Sequence, residues 1–338
     1  MSRPGPIVGI DLGGTNMQIG VVTRDDHAAG VRIVGRCRRK TKADEGMESV
    51  LARVAEGVDR ACADAGITRG DLEAVGIGAP GAVEPSAGVV LEAVNLRWDN
   101  VPLAGLLAER LGVPIIVDND VNAAVWGEFV AGAGRGVTDL LGVWVGTGIG
   151  GGLVLGGRLH YGHFLTAGEI GHMHVLPTNP PGQRTLEHNC SRSAVVERIV
   201  RLVRSNRKSM VTELVQGDFD KIRSKTIAEA YAAGDSLVRE VVDDSADLLG
   251  AHVGGIVTLL ALPRVVLGGG LTEAVGSPYV ARVRDAVRRV AFPDKCKAVD
   301  VVASELLDDA GIIGAALLAA EKIDGQAAAK RQSGRATV

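Results

Sequence analysis

The chain has 338 residues, 40 of them acidic and 37 basic, for a net charge of −3 with histidines neutral. That length suits two domains, each able to bury its own core. The near balance of charge argues against a protein built to neutralise nucleic-acid phosphates. Glycine is abundant at 46 residues and aromatics are scarce, a composition that suits an Ala/Val/Leu/Gly-rich α/β enzyme rather than a collagenous or disordered chain.

In chain order, residues 7–24 read as strand, tight glycine turn and strand, and a third strand is expected near 31–41. Ser49 to Ala65 predicts an amphipathic helix, with Val50, Leu51, Val54, Val58 and Ala61 at helical spacing. Residues 72–81 form a buried strand ending at Pro80-Gly81. Residues 102–112 form a helix opened by Pro102 and closed by Gly112. The β-branched run 114–120 ends on acidic residues and leads into a helix from Val121 to about Gly132. Alternation of this kind predicts sheets with parallel strands. Residues 140–159 repeat the strand, turn and strand of the opening; with Gly9 set against Gly142, Asp11 faces Trp144. A polar Pro/Gly-rich loop at 176–185, helices to about 262, a strand at 264–270 and a helix from Tyr279 to Val290 follow. Residues 325–338 lack an apolar period and are expected to be a disordered tail.

Cys37, Cys62, Cys190 and Cys296 are scattered with no CxxC pair, which excludes a disulfide scaffold and favours a reducing compartment. The residues before Asp11 lack the apolar run of a signal peptide. Pro263 and Arg264 divide the apolar stretch from Ala251 to Leu271 into pieces too short to span a bilayer. A soluble, cytoplasmic protein is expected, with neither nucleic acid nor membrane as partner.

Two glycine turns dominate the chemistry. In Asp11-Leu12-Gly13-Gly14-Thr15-Asn16, missing side chains would let backbone N–H groups approach phosphate oxygens, and Asp11 could hold Mg²⁺; an ordinary hairpin turn is the competing reading. Gly146 to Gly151 also fits GxGxxG, but the glycine-rich run after it makes a poor helix, so a hairpin fits better than a dinucleotide fingerprint. Asp118-Asn119-Asp120-Val121-Asn122 lies where a strand gives way to a helix. One Asx residue would suffice as a cap, so three in five favour a general base there. Glu169, His172, His174, Glu187, His188 and Cys190 gather in a polar stretch suited to hydrogen bonding a polyol; for His174 and His188 a solvated loop with incidental histidines is the competing reading.

DLGGT at 11–15, DNDVNAA at 118–124, VGTGIGGGLVLGGRL at 145–159, AGEIGH at 167–172 and LGGGL at 267–271 occur together and in order. On these motifs the chain resembles the ROK family of sugar kinases, its glucokinase-like members above all, from Ile7 to about Ile323. The resemblance implies the two-lobed α/β fold shared by actin and hexokinase, with ATP and sugar meeting in the cleft between lobes. It implies an N-terminal lobe at 1–119, completed by a helix at about 310–324, and a C-terminal lobe at 120–309. Asp120 would be the catalytic base and Asn119 its sugar-binding neighbour; Glu169, His172 and Glu187 would bind sugar hydroxyls, as would Asn95. Asp11, with Gly13, Gly14, Thr15 and Asn16, would serve ATP and Mg²⁺. Thr147 and Gly148 would hold phosphates, and Gly268, Gly269 and Gly270 would lie near adenosine. The family's zinc cysteines fall on Thr178, Pro180 and Thr185, so no structural zinc is expected. Phe164 and Leu165 stand where the family has small residues.

The resulting expectation is ATP-dependent phosphorylation of a hexose, glucose first, by a homodimer or higher homo-oligomer. An N-acetylmannosamine, N-acetylglucosamine or fructose kinase is the alternative. A sugar-sensing regulator is disfavoured because the first strand begins at Ile7, without room for a DNA-binding domain before it. The intact Asp120 disfavours a binding-only pseudokinase.

Overall fold

A computed structural model describes residues 5–24 and 30–335, with 326–335 as backbone alone. The chain divides into two compact units, residues 1–135, 161–166 and 308–338 forming one and residues 136–160 and 167–307 the other.

In the first unit β1 (Ile7–Leu12) and β2 (Asn16–Thr23) form an antiparallel hairpin with Ile10 opposite Ile19, and β3 (Arg32–Lys40) extends it. Helix α1 (Met47–Asp64) leads to β4 (Ala74–Ala79), which lies parallel to β1. A small antiparallel sheet follows, made of β5 (Ala82–Glu84), β6 (Val89–Ala93) and β7 (Trp98–Val101), segments of three to five residues that the sequence pattern does not reveal. Helix α2 (Leu103–Leu111), β8 (Ile115–Asn119) and α3 (Asp120–Ala131) complete this run. Among the described residues the main sheet has five strands in the order β3-β2-β1-β4-β8.

Strand β4 is apolar along both faces, and β1 everywhere but at Asp11, because helices cover both. On one face Ile10, Leu12 and Ile19 pack against Val54 and Leu107 of α1 and α2; on the other Ile7 and Val22 meet Ile312 and Ala316 of the C-terminal helix (Ala310–Arg335). A methyl group on Gly9 would overlap the Ile312 carbonyl, and one on Gly76 that of Ala315. Glycine at both positions lets the helix backbone lie directly on the sheet.

Two expectations change here. The C-terminal helix packs on α3, where a methyl on Gly314 would overlap the Ala123 carbonyl. Helix α3 therefore belongs to the first unit, and the expected break at 119/120 falls instead at 135/136, with 161–166 returning to the first unit. The C-terminal helix also runs on through the stretch expected to be a disordered tail, as far as Arg335. Its Ala, Gln, Lys and Arg residues sustain a helix without any apolar period; residues 336–338 lie outside the described residues.

The second unit repeats the scheme. Strands β9 (Leu140–Val145) and β10 (Ile149–Leu155) form an antiparallel hairpin, extended by β11 (Arg158–Leu159). Helices α4 (Leu186–Cys190), α5 (Arg192–Arg204), α6 (Val211–Leu214), α7 (Ser224–Ala232) and α8 (Ser236–Leu260) follow. Strand β12 (Arg264–Gly268) lies parallel to β9. After α9 (Gly270–Val275) and α10 (Ser277–Val290), β13 (Asp300–Ala303) lies parallel to β12. The strand order is β11-β10-β9-β12-β13, over a core that includes Val143, Val145, Leu186, Val253 and Leu267. The GxGxxG turn is a hairpin, as its glycine content predicts. Among the described residues no helix is long and apolar enough to cross a membrane.

Candidate functional site

The end of β8 sorts its Asx residues by role. Asn119 is the N-cap of α3: its Oδ1 accepts from the amides of Val121 (2.9 Å) and Asn122 (3.0 Å), and its Nδ2 donates to the Gly81 carbonyl (3.0 Å). The capping reading therefore holds for Asn119, whose side chain keeps one N–H for a ligand. Asp118 is buried, and burial pushes its carboxyl up, while hydrogen bonds from Tyr161, Asn119 and Asn122 pull it back down. Asp120 is the first residue of α3, half-buried, with Oδ1 accepting from the Val121 amide at 2.9 Å. A carboxylate there has the helix dipole in its favour.

The first glycine turn is pinned from outside. The Gly13 amide donates to the Asn16 carbonyl (3.0 Å), the Thr41 hydroxyl to the Gly13 carbonyl (2.5 Å) and the Thr41 amide to the Thr15 carbonyl (2.9 Å). The amides of Gly14 and Thr15 make no hydrogen bond among the described residues, and both residues line a cavity of about 330 Å³ with Lys40, Lys42 and Asn95. Asn95 stands in a short 3₁₀ turn between β6 and β7. Asp11, on β1, faces the first turn of the C-terminal helix at Gly311. Burial, then the neighbouring Asp308 carboxylate, raise its carboxyl to about 6. A desolvated carboxylate beside a second one suits a hard divalent cation, which takes few protein oxygens when phosphates supply the rest. Asp11 therefore fits Mg²⁺.

The second turn is organised by α4 and α5. The Gly146 amide donates to the Gly148 carbonyl (2.9 Å), and the Thr147 and Gly148 amides make no hydrogen bond among the described residues. The Ile149 amide donates to Glu187 Oε2 (2.8 Å), and a methyl on Gly148 would overlap that oxygen, so glycine makes room for the carboxylate. Arg192 Nη2 donates to Thr147 Oγ1 (2.7 Å) and Ser193 Oγ to the Thr147 carbonyl (2.8 Å). Sequence reading misses Arg192, although a cation in the first turn of a helix opposes the dipole and is itself a signal.

Glu169 and His172 are exposed and face each other across a 3₁₀ turn, Oε2 to Nε2 3.9 Å. They lie in the second unit with Glu187, whereas Asn95, Asn119 and Asp120 lie in the first. Gly268 ends β12, and Gly269, at φ +87°, turns the chain into Gly270 and α9. His172, His174 and His188 are exposed, while Cys190 is buried with its thiol pushed up to about 12 by burial. Among the described residues no three His, Cys, Asp or Glu are grouped to hold a metal.

The ROK family model matches residues 7–322. A glucokinase of Thermotoga maritima is 33% identical over 324 residues, covering 94% of this chain and 98% of its own. A putative xylose repressor of a Caldicellulosiruptor species is 31% identical over 317 residues, 92% of this chain and 77% of its own. The structure of a ROK family glucokinase from Streptomyces griseus in complex with glucose and AMPPNP is similar with a TM-score of 0.82 and 32% identity, covering 93% of this chain and 99% of that one. Those motifs, this two-unit α/β fold of the actin and hexokinase kind and these full-length matches agree: the chain belongs to the ROK family.

Proposed function

We propose that this protein transfers the γ-phosphoryl group of ATP to a hexose hydroxyl, glucose giving glucose 6-phosphate. The observation that carries the reading is the pair of hairpin turns, each with two adjacent amides that have no hydrogen-bond partner among the described residues. Such amides are donors for phosphate oxygens. Support comes from a half-buried carboxylate, Asp120, at the end of a parallel strand, where ligands of α/β sheets gather. The glucokinases among its relatives supply the donor and acceptor.

In this reading Asp120 accepts the proton of the attacking hydroxyl, and Asn119 donates its remaining N–H to the sugar. Glu169, His172 and Glu187 bind further hydroxyls. The amides of Gly14, Thr15, Thr147 and Gly148 bind phosphate oxygens, and Asp11 is the carboxylate that would hold Mg²⁺. When bound, Mg²⁺ neutralises charge on those oxygens. Similarity to a xylose repressor sustains a second reading, sugar sensing without catalysis.

An ADP-release assay over glucose, fructose and N-acetylhexosamines separates the two. Turnover with glucose, reduced about 100-fold or more by Asp120→Asn at unchanged thermal stability, is expected for a positioned general base. Sugar binding without ADP release from the wild-type protein would leave the sensor.

A further inference from the structure

The structure offers Tyr161 a role that no glycine turn or sugar-binding carboxylate explains. Residues 161–166 cluster with the first unit although the chain on either side belongs to the second. Tyr161 bonds this segment to the end of β8: its phenol donates to Asp118 Oδ2 at 2.6 Å. The other oxygen of Asp118 accepts from the Asn119 amide (2.8 Å) and from Asn122 Nδ2 (3.3 Å). Each of those donors belongs to the turn that carries Asp120. Asn119 caps α3, and Asn122 lies in its first turn.

We propose that Tyr161 is a positioning residue for Asp120, acting through the Asp118 carboxylate. The inference rests on Asp120 being the general base.

Asp118 is only 4% exposed, so its oxygens find donors in the protein or go without. With all three donors in place the carboxylate has a single orientation, and that orientation fixes the Asn119 amide and the Asn122 side chain together. Removing the phenol oxygen leaves Oδ2 buried and unpaired, a condition costly enough to drive rearrangement. The nearest relief is rotation of the carboxylate toward the amides of the turn. That rotation competes with the cap and loosens the first turn of α3, where Asp120 sits. A base misplaced by about an ångström forfeits much of its advantage, roughly 100-fold in unfavourable cases. A partial loosening is therefore expected to cost less than loss of the base itself.

The geometry also explains why an aspartate stands at 118. An asparagine has one acceptor oxygen, so it cannot receive donors on both sides. Its NH₂ cannot face the Asn119 amide, which has no lone pair to offer, so it would face the Tyr161 hydroxyl, which would then accept, and the short bond to a charged carboxylate would give way to a weaker neutral one. Asp118→Asn should thus weaken the link that Tyr161→Phe breaks.

The experiment compares the full chain with Tyr161→Phe, Asp118→Asn, the double variant and Asp120→Asn. Steady-state kinetics with glucose and Mg²⁺-ATP are read beside melting temperature. Tyr161→Phe is expected to lower kcat about 10-fold while both KM values change less than about twofold. The double variant should be no slower than the slower of the two single variants, because the two act as one unit. An unchanged kcat in Tyr161→Phe, whatever its melting temperature, would overturn the proposal, as would kcat losses that multiply in the double variant. Should Tyr161→Phe fail to fold, Asp118→Asn carries the test: lower kcat at constant KM supports the device, and unchanged kcat ends it. Wild-type turnover in Asp120→Asn would instead remove the base assignment, a result distinct from an inactive Asp120→Asn beside a fully active Tyr161→Phe.

Discussion

The two units solve one architectural problem twice and equip the answers differently. Each opens with an antiparallel hairpin whose first strand pairs in parallel with a later one, β1 with β4 and β9 with β12. Each hairpin turn is closed by a glycine amide and leaves the next two amides without a partner among the described residues. The side chains then diverge. In the register Asp11 pairs with Gln18, and the matching position of the second hairpin, Trp144, pairs with Gly150. The first turn thus carries a desolvated carboxylate, and the second is braced by Glu187 and Arg192 from helices that follow it. The backbone supplies the same donors twice, and in the proposed reading both turns bind phosphate, the side chains adding a cation site beside the first and a sugar contact beside the second.

Asp11→Ala attacks the difference most directly. It should lower kcat/KM for Mg²⁺-ATP about 100-fold or more, since a charge-neutralising group is worth several kcal/mol in a phosphoryl transfer, while calorimetry finds sugar affinity nearly unchanged. Equal loss of sugar affinity with ATP binding intact would erase the distinction between the turns. Glu187→Gln keeps the shape beside Gly148 but removes the charge. Sugar KM should rise about 10-fold, the scale of a lost charge-assisted hydrogen bond, with ATP KM unaffected. A rise in ATP KM alone would reassign Glu187 to the nucleotide. Arg192→Ala should raise ATP KM only about threefold to tenfold, because the guanidinium reaches the site through Thr147 and remains partly exposed; a titration with ATP at saturating sugar reads this directly.

The smallest expected effect is none. Thr178, Pro180 and Thr185 offer no thiolate or imidazole for zinc, and Cys190 is buried with its thiol pushed up to about 12. A strong chelator, with Mg²⁺ in excess, should leave activity and melting temperature unchanged. One zinc per chain by elemental analysis, lost together with activity on Cys190→Ser, would overturn this.

What the sequence discloses follows the range of the interactions. Both hairpins and the helix over α1 are legible because glycine turns and apolar periods are local signals. The sheet of β5 to β7 is not, since strands of three to five residues carry almost no period. Three Asx residues single out the end of β8 as a candidate site, but only the folded backbone decides that Asn119 caps the helix and Asp118 meets Tyr161, a partner 43 residues away. The boundary between units escapes for the same reason. Whether α3 joins the first unit depends on a contact between Ala123 and Gly314, two residues far apart in the chain.

The seating of the C-terminal helix against Gly9 and Gly76 has a consequence for synthesis. A ribosome delivers β1 and β4 early and Ile312 and Ala315 last, so one face of the first sheet has no cover while the whole second unit is being made. Domains delivered in one piece can fold as they emerge, and the second unit is nearly such a piece. The first unit must wait with an apolar face bare. Emergence of the C-terminal helix, rather than of the opening segment, is then the moment at which this face is covered, and a stall before it would leave Ile7 and Val22 open to any passing chaperone.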